Sequence, residues 1–264
     1  MFQQATLTSS LHAFYEEELI TDVVRQVKSG KEASVYCCLA DSSHPLLPAD
    51  VKLLAAKIYR PAEQMGWGSD ALRSGRQQGR FRNDAVYRAG QGFLKRRDRV
   101  AFEKKSRHGR EIQFSSWLRR EWESLEILYQ AGADVPQPFW TSDNAILMEY
   151  IGDEEDAAPA LAHVDLEREE AEATCRRVLK NVELFLGCDR VHADLSAFNI
   201  LYWNGEPKII DLPQAVDAAS NPNARMLLDR DLANVAKYFS RYGVDVNADR
   251  MANDLWSRYR RGIL

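Results

Sequence analysis

Asp194, Asn199 and Asp211 have the side-chain types and the spacing that phosphoryl transfer with a divalent cation requires. Asn199 lies five residues after Asp194, and Asp211 ends a short apolar run. One carboxylate can orient an incoming hydroxyl and accept its proton. An amide oxygen and a second carboxylate are hard oxygen ligands of the kind that Mg²⁺ prefers. We therefore predict that Asp194 is the catalytic carboxylate and that Asn199 and Asp211 hold Mg²⁺.

The simplest alternative is a surface hairpin in which Asp194 and Asn199 are ordinary turn residues. A hairpin does not require an acid at the end of the following apolar run, where Asp211 lies. The complete pattern, H-x-D-x-x-x-x-N followed by an apolar run and an Asp, is typical of phosphotransferases of the protein-kinase type. Within it, Asn204-Gly205 predicts a tight turn between two short strands.

The composition limits the class of protein. With 264 residues, the chain can form one large domain or a two-lobed one with a sizeable core. Its four cysteines match neither a disulfide framework nor metal-ligand spacing, which favours a reducing compartment. The first residues lack a secretory signal, and no apolar run approaches the ~18 residues that span a membrane. We therefore expect a cytoplasmic protein without a membrane partner.

The charge is unevenly distributed, because 14 basic and only 5 acidic residues lie between Arg60 and Arg110 of a chain with a net charge of −4. One interpretation is a surface for an anionic partner such as RNA or a ribonucleoprotein. The other is a solvated loop that pairs with the acidic surface of its own chain. The aromatic residues of this stretch fit both interpretations, since they could stack on bases or pack locally: Trp67, Phe81, Tyr87, Phe93 and Phe102.

Hydrophobic alternation and turn residues predict a small antiparallel sheet with one main helix in the first half of the chain. These elements would form an N-terminal lobe of residues 1–151, with a basic flexible insertion at about 60–110. The predicted strands are 20–28, 33–39, 53–59, 136–140 and 145–151, the main helix is 116–131, and a short helix covers 10–19.

An acidic stretch at 153–156 precedes a second half in which helical periodicity dominates. This half predicts a mainly helical C-terminal catalytic lobe of residues 152–264, with helices at 166–186, 222–241 and 247–261 around the catalytic hairpin. The predicted fold class is therefore α+β, with two lobes.

Four segments, taken together, resemble the RIO family of atypical serine/threonine protein kinases, and its type-1-like branch in particular. They are Lys28–Tyr36 with its S-G-K-E-A turn, Ala56–Tyr59, His192–Asn199, and Ile210–Val216 with the pattern I-D-x-x-Q-A-V. The resemblance extends from about residue 15 to about residue 245. It implies a two-lobed protein-kinase-like fold, ATP as the phosphoryl donor and Mg²⁺ as the cofactor.

By that resemblance, the turn formed by Ser29, Gly30, Lys31, Glu32 and Ala33 takes the place of the glycine-rich loop of ordinary kinases. Backbone N–H groups exposed in such a turn can cradle phosphate oxygens. The side chains of Ser29 and Lys31 can add further contacts. As a bare pattern, the same residues also suit a simple hairpin turn.

Lys57 is an isolated cation at the end of an apolar strand, where a charge is costly unless it is paired. The resemblance makes it the catalytic lysine that contacts the α- and β-phosphates, with Glu121 as its partner on the helix. Glu121 lies one helical turn from Trp117 and Leu125, on the side predicted to be buried. Glu123 is the fallback and is expected in solvent. The structural alternative for Glu121 is a surface acid that pairs with a nearby Arg.

The resemblance places Met148, Glu149 and Ile151 in the connector between the lobes. Backbone groups of Glu149 and Ile151 are expected to hydrogen-bond the adenine edge, with Met148 at the back of the pocket. Two further residues are interpreted as structural rather than catalytic: His192 beneath the catalytic loop and Asp231 on a later helix.

The chain departs from ordinary protein kinases around its catalytic motifs. Ala193 replaces the Arg that precedes the catalytic Asp, no Gly completes a D-F-G motif after Asp211, and no A-P-E segment follows. The sequence therefore leaves no room for an ordinary activation loop. RIO kinases share these absences.

The leading hypothesis is an ATP- and Mg²⁺-dependent serine/threonine kinase that also autophosphorylates, with an unknown protein substrate. A second hypothesis is an ATPase-type, nucleotide-switched assembly factor that acts on a ribonucleoprotein in ribosome maturation. A third is a small-molecule kinase of the aminoglycoside or choline type, which shares the H-x-D-x-x-x-x-N loop. The S-G-K-E-A turn and Pro213–Val216 argue against the third.

Overall fold

The computed structural model describes residues 10–30, 32–60 and 107–264. Lys31 and most of the basic stretch at 60–110 lie outside the described residues. The described part divides into two compact units. The N-terminal unit contains the described residues up to 60 together with 107–122 and 137–157, and the C-terminal unit contains 123–136 and 158–264. No helix in the described ranges is both long and apolar enough to cross a membrane.

The N-terminal unit is built on the predicted five-stranded antiparallel sheet, which is confirmed with small shifts at the strand ends. Its strands lie in the order β1-β2-β3-β5-β4, and each pairs with its neighbours in antiparallel register. The strands are β1 (Ile20–Ser29), β2 (Ala33–Ala40), β3 (Leu53–Tyr59), β4 (Pro138–Thr141) and β5 (Ala145–Glu149).

The central strand β3 presents its side chains alternately to two faces of the sheet, as the period of two requires. Leu54, Ala56 and Ile58 belong to the larger apolar cluster, together with Leu11 and Phe14 of the short helix α1 (residues 10–16). By the same alternation, Leu53, Ala55 and Lys57 lie on the opposite face. This register places the one charged residue of β3 outside the main core of the unit.

Helix α2 (Arg107–Gln130) is longer than the sequence predicted. The predicted start at 116 is wrong because Gly109 and the charged residues around it were interpreted as loop punctuation. One glycine inside a helix costs only about 1 kcal/mol relative to alanine, which the neighbouring turns can offset. The predicted end is confirmed, since Gly132 has φ +78° and its N–H donates to the carbonyl of Tyr129 at 3.0 Å.

The C-terminal unit is mainly helical, with α3 (Arg168–Gly187), α4 (Ala224–Phe239) and α5 (Ala248–Arg260). Two small antiparallel pairs lie between α3 and α4: β6 (Arg190–Val191) with β9 (Val216–Asp217), and β7 (Ile200–Trp203) with β8 (Glu206–Ile209). These pairs carry the catalytic motif of the sequence.

The β7–β8 hairpin confirms the turn predicted at Asn204-Gly205. Both residues have positive φ, 50° and 82°, as the central positions of a tight hairpin turn of this hand require. The hairpin fixes Asn199 just before β7 and Asp211 two residues after the end of β8. Local turn chemistry thus determines how the two predicted metal ligands approach each other.

Candidate active site

The β1–β2 turn contains the residues predicted to contact phosphates. The Gly30 N–H donates to the carbonyl of Ala33 at 2.9 Å, which closes the turn. A Cβ on residue 30 would lie 3.2 Å from that carbonyl oxygen, so a larger residue would have to displace the backbone. Ser29 and Ala33 end and begin the flanking strands. Lys31, the central cation of the predicted set, lies outside the described residues.

Arg60 binds this turn through two hydrogen bonds, and it was not identified from the sequence. Its backbone N–H donates to the carbonyl of Glu32 at 2.8 Å, and its guanidinium donates to the Ser29 Oγ at 3.0 Å. The turn is therefore held from the end of β3 as well as by its own strands. Arg60 also adds a positive charge next to the predicted phosphate-contacting residues.

Lys57 and Glu121 form a buried ion pair. The Lys57 Nζ donates to the Glu121 Oε1 at 2.6 Å, and the two residues are only 8% and 3% exposed. The Nζ also lies 5.2 Å from the centroid of the Tyr59 ring. Glu123, two residues further along α2, is less buried than Glu121. The pair fixes the Lys57 ammonium at a defined position on the second face of the sheet.

Breaking this pair from either side should destabilise the protein by about 3–5 kcal/mol, because a buried charge would lose its partner. Lys57→Met and Glu121→Leu should each show this loss in urea unfolding. The double variant should recover most of it, since no uncompensated charge remains. Single variants as stable as the wild type would contradict the importance of the pair.

The sheet face that carries Lys57 also carries a compact apolar surface. Cys37, Ala55 and Tyr150 are its buried members. Burial raises the pKa values of the Cys37 thiol and the Tyr150 hydroxyl, so both groups stay neutral at physiological pH. Around them pack Val27, Val35, Leu53, Met148 and Ala157. We call these eight residues the apolar patch.

The predicted connector residues lie at the edge of this patch. Met148 pairs with Ala55 across β3 and β5. The Glu149 N–H donates to the carbonyl of Gln137 at 2.7 Å, so it is already used within the unit. Ile151 is buried, with an exposed fraction of 9%. Met148 and Glu149 therefore end β5 and Ile151 lies just beyond it, as the sequence indicated, and the Glu149 N–H is committed to Gln137.

Arg25 attaches the connector to the first strand. Its guanidinium donates to the Tyr150 hydroxyl at 2.8 Å and to the Glu154 carbonyl at 2.6 Å. The same guanidinium lies 6.0 Å from the centroid of the Tyr150 ring. The chain after β5 is thus fixed to β1 through a side chain that sequence reasoning did not single out.

In the C-terminal unit, the catalytic loop begins after β6 at His192, which is buried and stacks on Phe185 with ring centroids 6.4 Å apart. Its Nε2 lies 3.1 Å from the Ile210 carbonyl, and its Nδ1 accepts from the Asp194 N–H at 3.3 Å. Burial lowers the pKa of His192. A neutral ring with Nε2–H donating satisfies both contacts, which supports a structural role for this residue.

Asp231 on α4 accepts hydrogen bonds from the backbone N–H groups of both residues that flank Asp194. Its carboxylate accepts from the Ala193 N–H at 2.7 Å and from the Leu195 N–H at 3.0 Å. Ala193 has φ 65°, a conformation that few residues other than glycine adopt and that needs external support. Because both flanking N–H groups point into one buried carboxylate, the backbone of Asp194 cannot rotate freely.

The three predicted reaction residues approach one another in the C-terminal unit. The Asn199 Nδ2 donates to the Asp194 carbonyl at 2.7 Å, and Asn199 is 4% exposed. The Ile210 N–H donates to the Asn199 carbonyl at 2.9 Å, which brings the residue before Asp211 against Asn199. Asp211 itself has φ 72°, so the chain turns sharply at this carboxylate.

Asn199 and Asp211 could hold a divalent cation whose remaining ligands are phosphate and water oxygens. The Asn199 Nδ2 is used by Asp194, so Asn199 would present its Oδ1 to the cation and Asp211 would present its carboxylate. Among the described residues, no group of three or more His, Cys, Asp or Glu side chains could hold a metal. Mg²⁺ commonly takes few protein carboxylates and completes its shell with phosphates and water, so a two-residue donor set fits it.

The chain also matches a known protein family. Residues 82–251 match the RIO domain, which is more than half of the chain. The chain belongs to the RIO family. Its relatives include the RIO-type serine/threonine-protein kinase Rio1 of Haloferax volcanii, 36% identical over 137 residues, a match that covers 52% of this chain and 46% of that protein. The serine/threonine-protein kinase RIO1 of Chaetomium thermophilum is 29% identical over 243 residues, covering 88% of this chain and 42% of that protein.

This RIO chain spans less than half the length of both relatives. Among solved structures, it is similar to the Rio2 kinase of Chaetomium thermophilum, with a TM-score of 0.62 and 19% identity, covering 92% of this chain and 64% of that chain. The structure of that Rio2 kinase is a complex with ADP, Mg²⁺ and phosphoaspartate. The likeness confirms the kinase-like fold predicted for this chain.

Two further residues of this RIO chain hold the loop around Asp194, and they were not identified from the sequence. Arg230 donates to the carbonyl of Ala193, and the Asn234 Nδ2 donates to the carbonyl of Leu195 at 3.0 Å. With Asp231 they engage both backbone polar groups of each residue that flanks Asp194, the predicted catalytic carboxylate. The pattern R-D-x-x-N, which places all three on one side of a helix, is the sequence signal that could have revealed them.

Asp231→Asn should weaken this loop support in the RIO chain. The amide replaces one acceptor oxygen by an NH₂ donor that faces a backbone N–H, and a buried donor left without an acceptor costs about 1–3 kcal/mol. Urea unfolding should show this loss. Asp229→Asn is the matched control, because Asp229 lies on the same helix and pairs with Arg225 at the surface. Equal stability of the two variants would contradict the anchoring role.

The difference in stability between the wild type and Asp231→Asn should depend on pH. Burial raises the pKa of Asp231 to about 7 from its ordinary value of 3.8, although the N–H groups of Leu195 and Ala193 oppose the rise. When folding raises the pKa of an acid, that acid stabilises the folded state at pH values below its pKa in the unfolded chain. This contribution is lost as the pH rises through its pKa in the folded state. The stability advantage of the wild type over Asp231→Asn should therefore narrow between pH 4 and pH 7. An advantage that widens over this range would contradict the raised pKa.

Proposed function

We propose that this RIO-family chain is an ATP- and Mg²⁺-dependent serine/threonine protein kinase that also phosphorylates itself. The observation that carries the proposal is the position of Asp194. The N–H groups of both neighbouring residues are held by Asp231, and the Asp194 carbonyl is held by Asn199. A carboxylate on a backbone held this rigidly, next to a magnesium-type donor pair, is suited to orient a hydroxyl nucleophile.

The N-terminal unit supplies the groups expected to bind the nucleotide. In this proposal the apolar patch takes the adenine ring, with the Glu149 carbonyl and backbone groups of Ile151 at its edge. Lys57, oriented by Glu121, contacts the α- and β-phosphates. The backbone of the β1–β2 turn covers the phosphates and contributes N–H groups to them.

In the C-terminal unit, Asn199 and Asp211 would hold Mg²⁺, which supplies charge screening for the phosphate oxygens. Asp194 accepts a hydrogen bond from the acceptor Ser or Thr hydroxyl and aims its oxygen at the γ-phosphorus. As the new O–P bond forms, the bond from the γ-phosphorus to the β,γ-bridging oxygen breaks and ADP leaves. The hydroxyl proton passes to Asp194, which balances the transfer.

In the proposed domain organisation, an N-terminal lobe of residues 1–151 binds the nucleotide. A C-terminal lobe of residues 152–264 supplies the residues for phosphoryl transfer. RNA or a ribonucleoprotein is the proposed partner of the basic segment at 60–110, on the strength of its charge alone.

A second candidate function is a nucleotide-switched ATPase that acts in ribonucleoprotein assembly. The short connection after Asp211 favours it, because β9 begins at Val216 and α4 at Ala224, with no ordinary activation segment to dock a peptide. The phosphoaspartate of the similar Rio2 complex also favours it, since hydrolysis of an aspartyl phosphate would release free phosphate.

One labelling experiment separates the two functions. The purified full chain is incubated with γ-³²P-ATP and Mg²⁺, and label on protein and label in free phosphate are followed over time. A kinase accumulates label that withstands hydroxylamine, because phosphoserine and phosphothreonine are esters. Free phosphate with only a small hydroxylamine-sensitive label would reject the kinase proposal and support the ATPase.

A further inference from the structure

Phe198 is a large apolar side chain exposed within the catalytic loop. It lies in the short 3₁₀ turn Ala197–Asn199 and is 57% exposed, whereas Ala197 and Asn199 on either side are 9% and 4% exposed. A single exposed apolar residue is common on protein surfaces. This one differs because it is four residues from Asp194, in a loop whose backbone is fixed by buried hydrogen bonds.

The His163 ring packs against the exposed ring of Phe198. The two rings meet edge to face, with centroids 5.7 Å apart and an interplanar angle of 75°. His163 ends the 3₁₀ turn that begins at the fully buried Leu161. The Tyr238 hydroxyl donates to the Leu161 carbonyl at 2.6 Å, and the Tyr242 hydroxyl donates to the Val164 carbonyl at 3.1 Å. The aromatic pair is therefore a supported platform rather than a loose side chain.

The charges around the platform favour a polypeptide over a nucleic acid. The segments 160–167 and 194–201 contain Asp165, Glu167 and Asp194 but no Lys or Arg. Within these two segments a phosphate backbone would meet carboxylates and no cation. A peptide that places a hydroxyl at Asp194 continues with residues spaced about 3.3 Å apart when extended, so one or two of them can reach a side chain that lies four residues from Asp194 in the loop.

We infer that Phe198, backed by His163, contacts an apolar side chain one or two residues from the Ser or Thr that is phosphorylated. This inference rests on the proposed kinase function and specifies its substrate class. An apolar side chain that covers Phe198 would bury both surfaces, and such a contact changes discrimination between substrates by about tenfold. Phe198 is thus a specificity-determining residue, whereas Asp194 is the catalytic one.

A positional peptide library tests the inference, with Ser or Thr at the centre and each flanking position varied among apolar, basic, acidic and Gly residues. For the full wild-type chain, kcat/KM should be about tenfold higher when one flanking residue is apolar than when it is Gly. In Phe198→Ala this ratio should fall to near one, and in Phe198→Leu it should persist. Ile263→Ala is the matched control, because Ile263 is 56% exposed at the far end of the chain and should leave the ratio unchanged.

Three results would overturn the inference. The first is a wild type without apolar preference. The second is an unchanged peptide ratio in Phe198→Ala, and weaker binding of a single-stranded RNA oligonucleotide by that variant would then assign the platform to RNA. The third is a chain that labels its own Ser or Thr residues but no peptide, in which case the kinase function stands and the inference fails. If no Ser or Thr hydroxyl of the chain or of any peptide is labelled, both the kinase proposal and this inference fail.

Discussion

Asp194→Ala slows transfer of the γ-phosphoryl group by about 10²–10⁴-fold while ATP affinity stays nearly constant, the result expected when a positioned general base is lost. The backbone of Asp194 is held by groups that the substitution retains, so the loop should keep its shape. The measurement is the single-turnover rate with protein in excess over labelled ATP, together with the ATP dissociation constant.

The control for this variant is Asp245→Ala, which removes an exposed carboxylate from the same unit. It should turn over at the wild-type rate. Unchanged transfer in Asp194→Ala would contradict the assignment of the catalytic carboxylate. A large loss of ATP affinity in that variant would instead show that Asp194 acts in nucleotide binding.

Asp211→Asn abolishes the tightening of ATP binding by Mg²⁺. The substitution keeps the shape of the side chain but removes the single carboxylate of the proposed donor pair, which leaves two amide oxygens to hold the cation. The wild type should bind ATP more tightly with Mg²⁺ than with EDTA, and the variant should bind equally in both, as measured by calorimetry or by displacement of a fluorescent nucleotide.

Asp217→Asn is the matched control for the metal site, because Asp217 lies on β9 and pairs with Arg190 at 3.3 Å. It should respond to Mg²⁺ as the wild type does. If ATP affinity still rises with Mg²⁺ in Asp211→Asn, the proposed metal site is wrong. If it also stops rising in Asp217→Asn, the effect is one of local charge rather than of metal ligation.

Much of the fold was predictable because its signals are local. The strands of the first sheet follow from alternation, and the turn at Asn204-Gly205 follows from residues that tolerate positive φ. The spacing of Asp194, Asn199 and Asp211 is likewise a local property of one loop and one hairpin. Such features depend on few long-range contacts, so the sequence alone indicates them.

The support of the catalytic loop was less predictable because it depends on packing between distant parts of the chain. Arg230 and Asn234 reach carbonyls of residues that lie more than 35 positions earlier, and nothing local in α4 indicates which loop they will meet. Asp231 was identified as a structural residue, yet its two N–H partners became evident only from the structure. The early start of α2 was missed because the local cost of Gly109 is small enough for the neighbouring helical turns to offset it.

In the proposed reaction, this site transfers the γ-phosphoryl group of ATP to Ser or Thr hydroxyls. The most direct test is mass-spectrometric mapping of the wild-type chain and of Asp194→Ala after incubation with ATP and Mg²⁺, beside samples without Mg²⁺. We predict phosphoserine or phosphothreonine in the wild type with Mg²⁺ and almost none in the other samples. Consumption of ATP by the wild type without a phosphorylated hydroxyl, or equal phosphorylation of Asp194→Ala, would contradict the proposal.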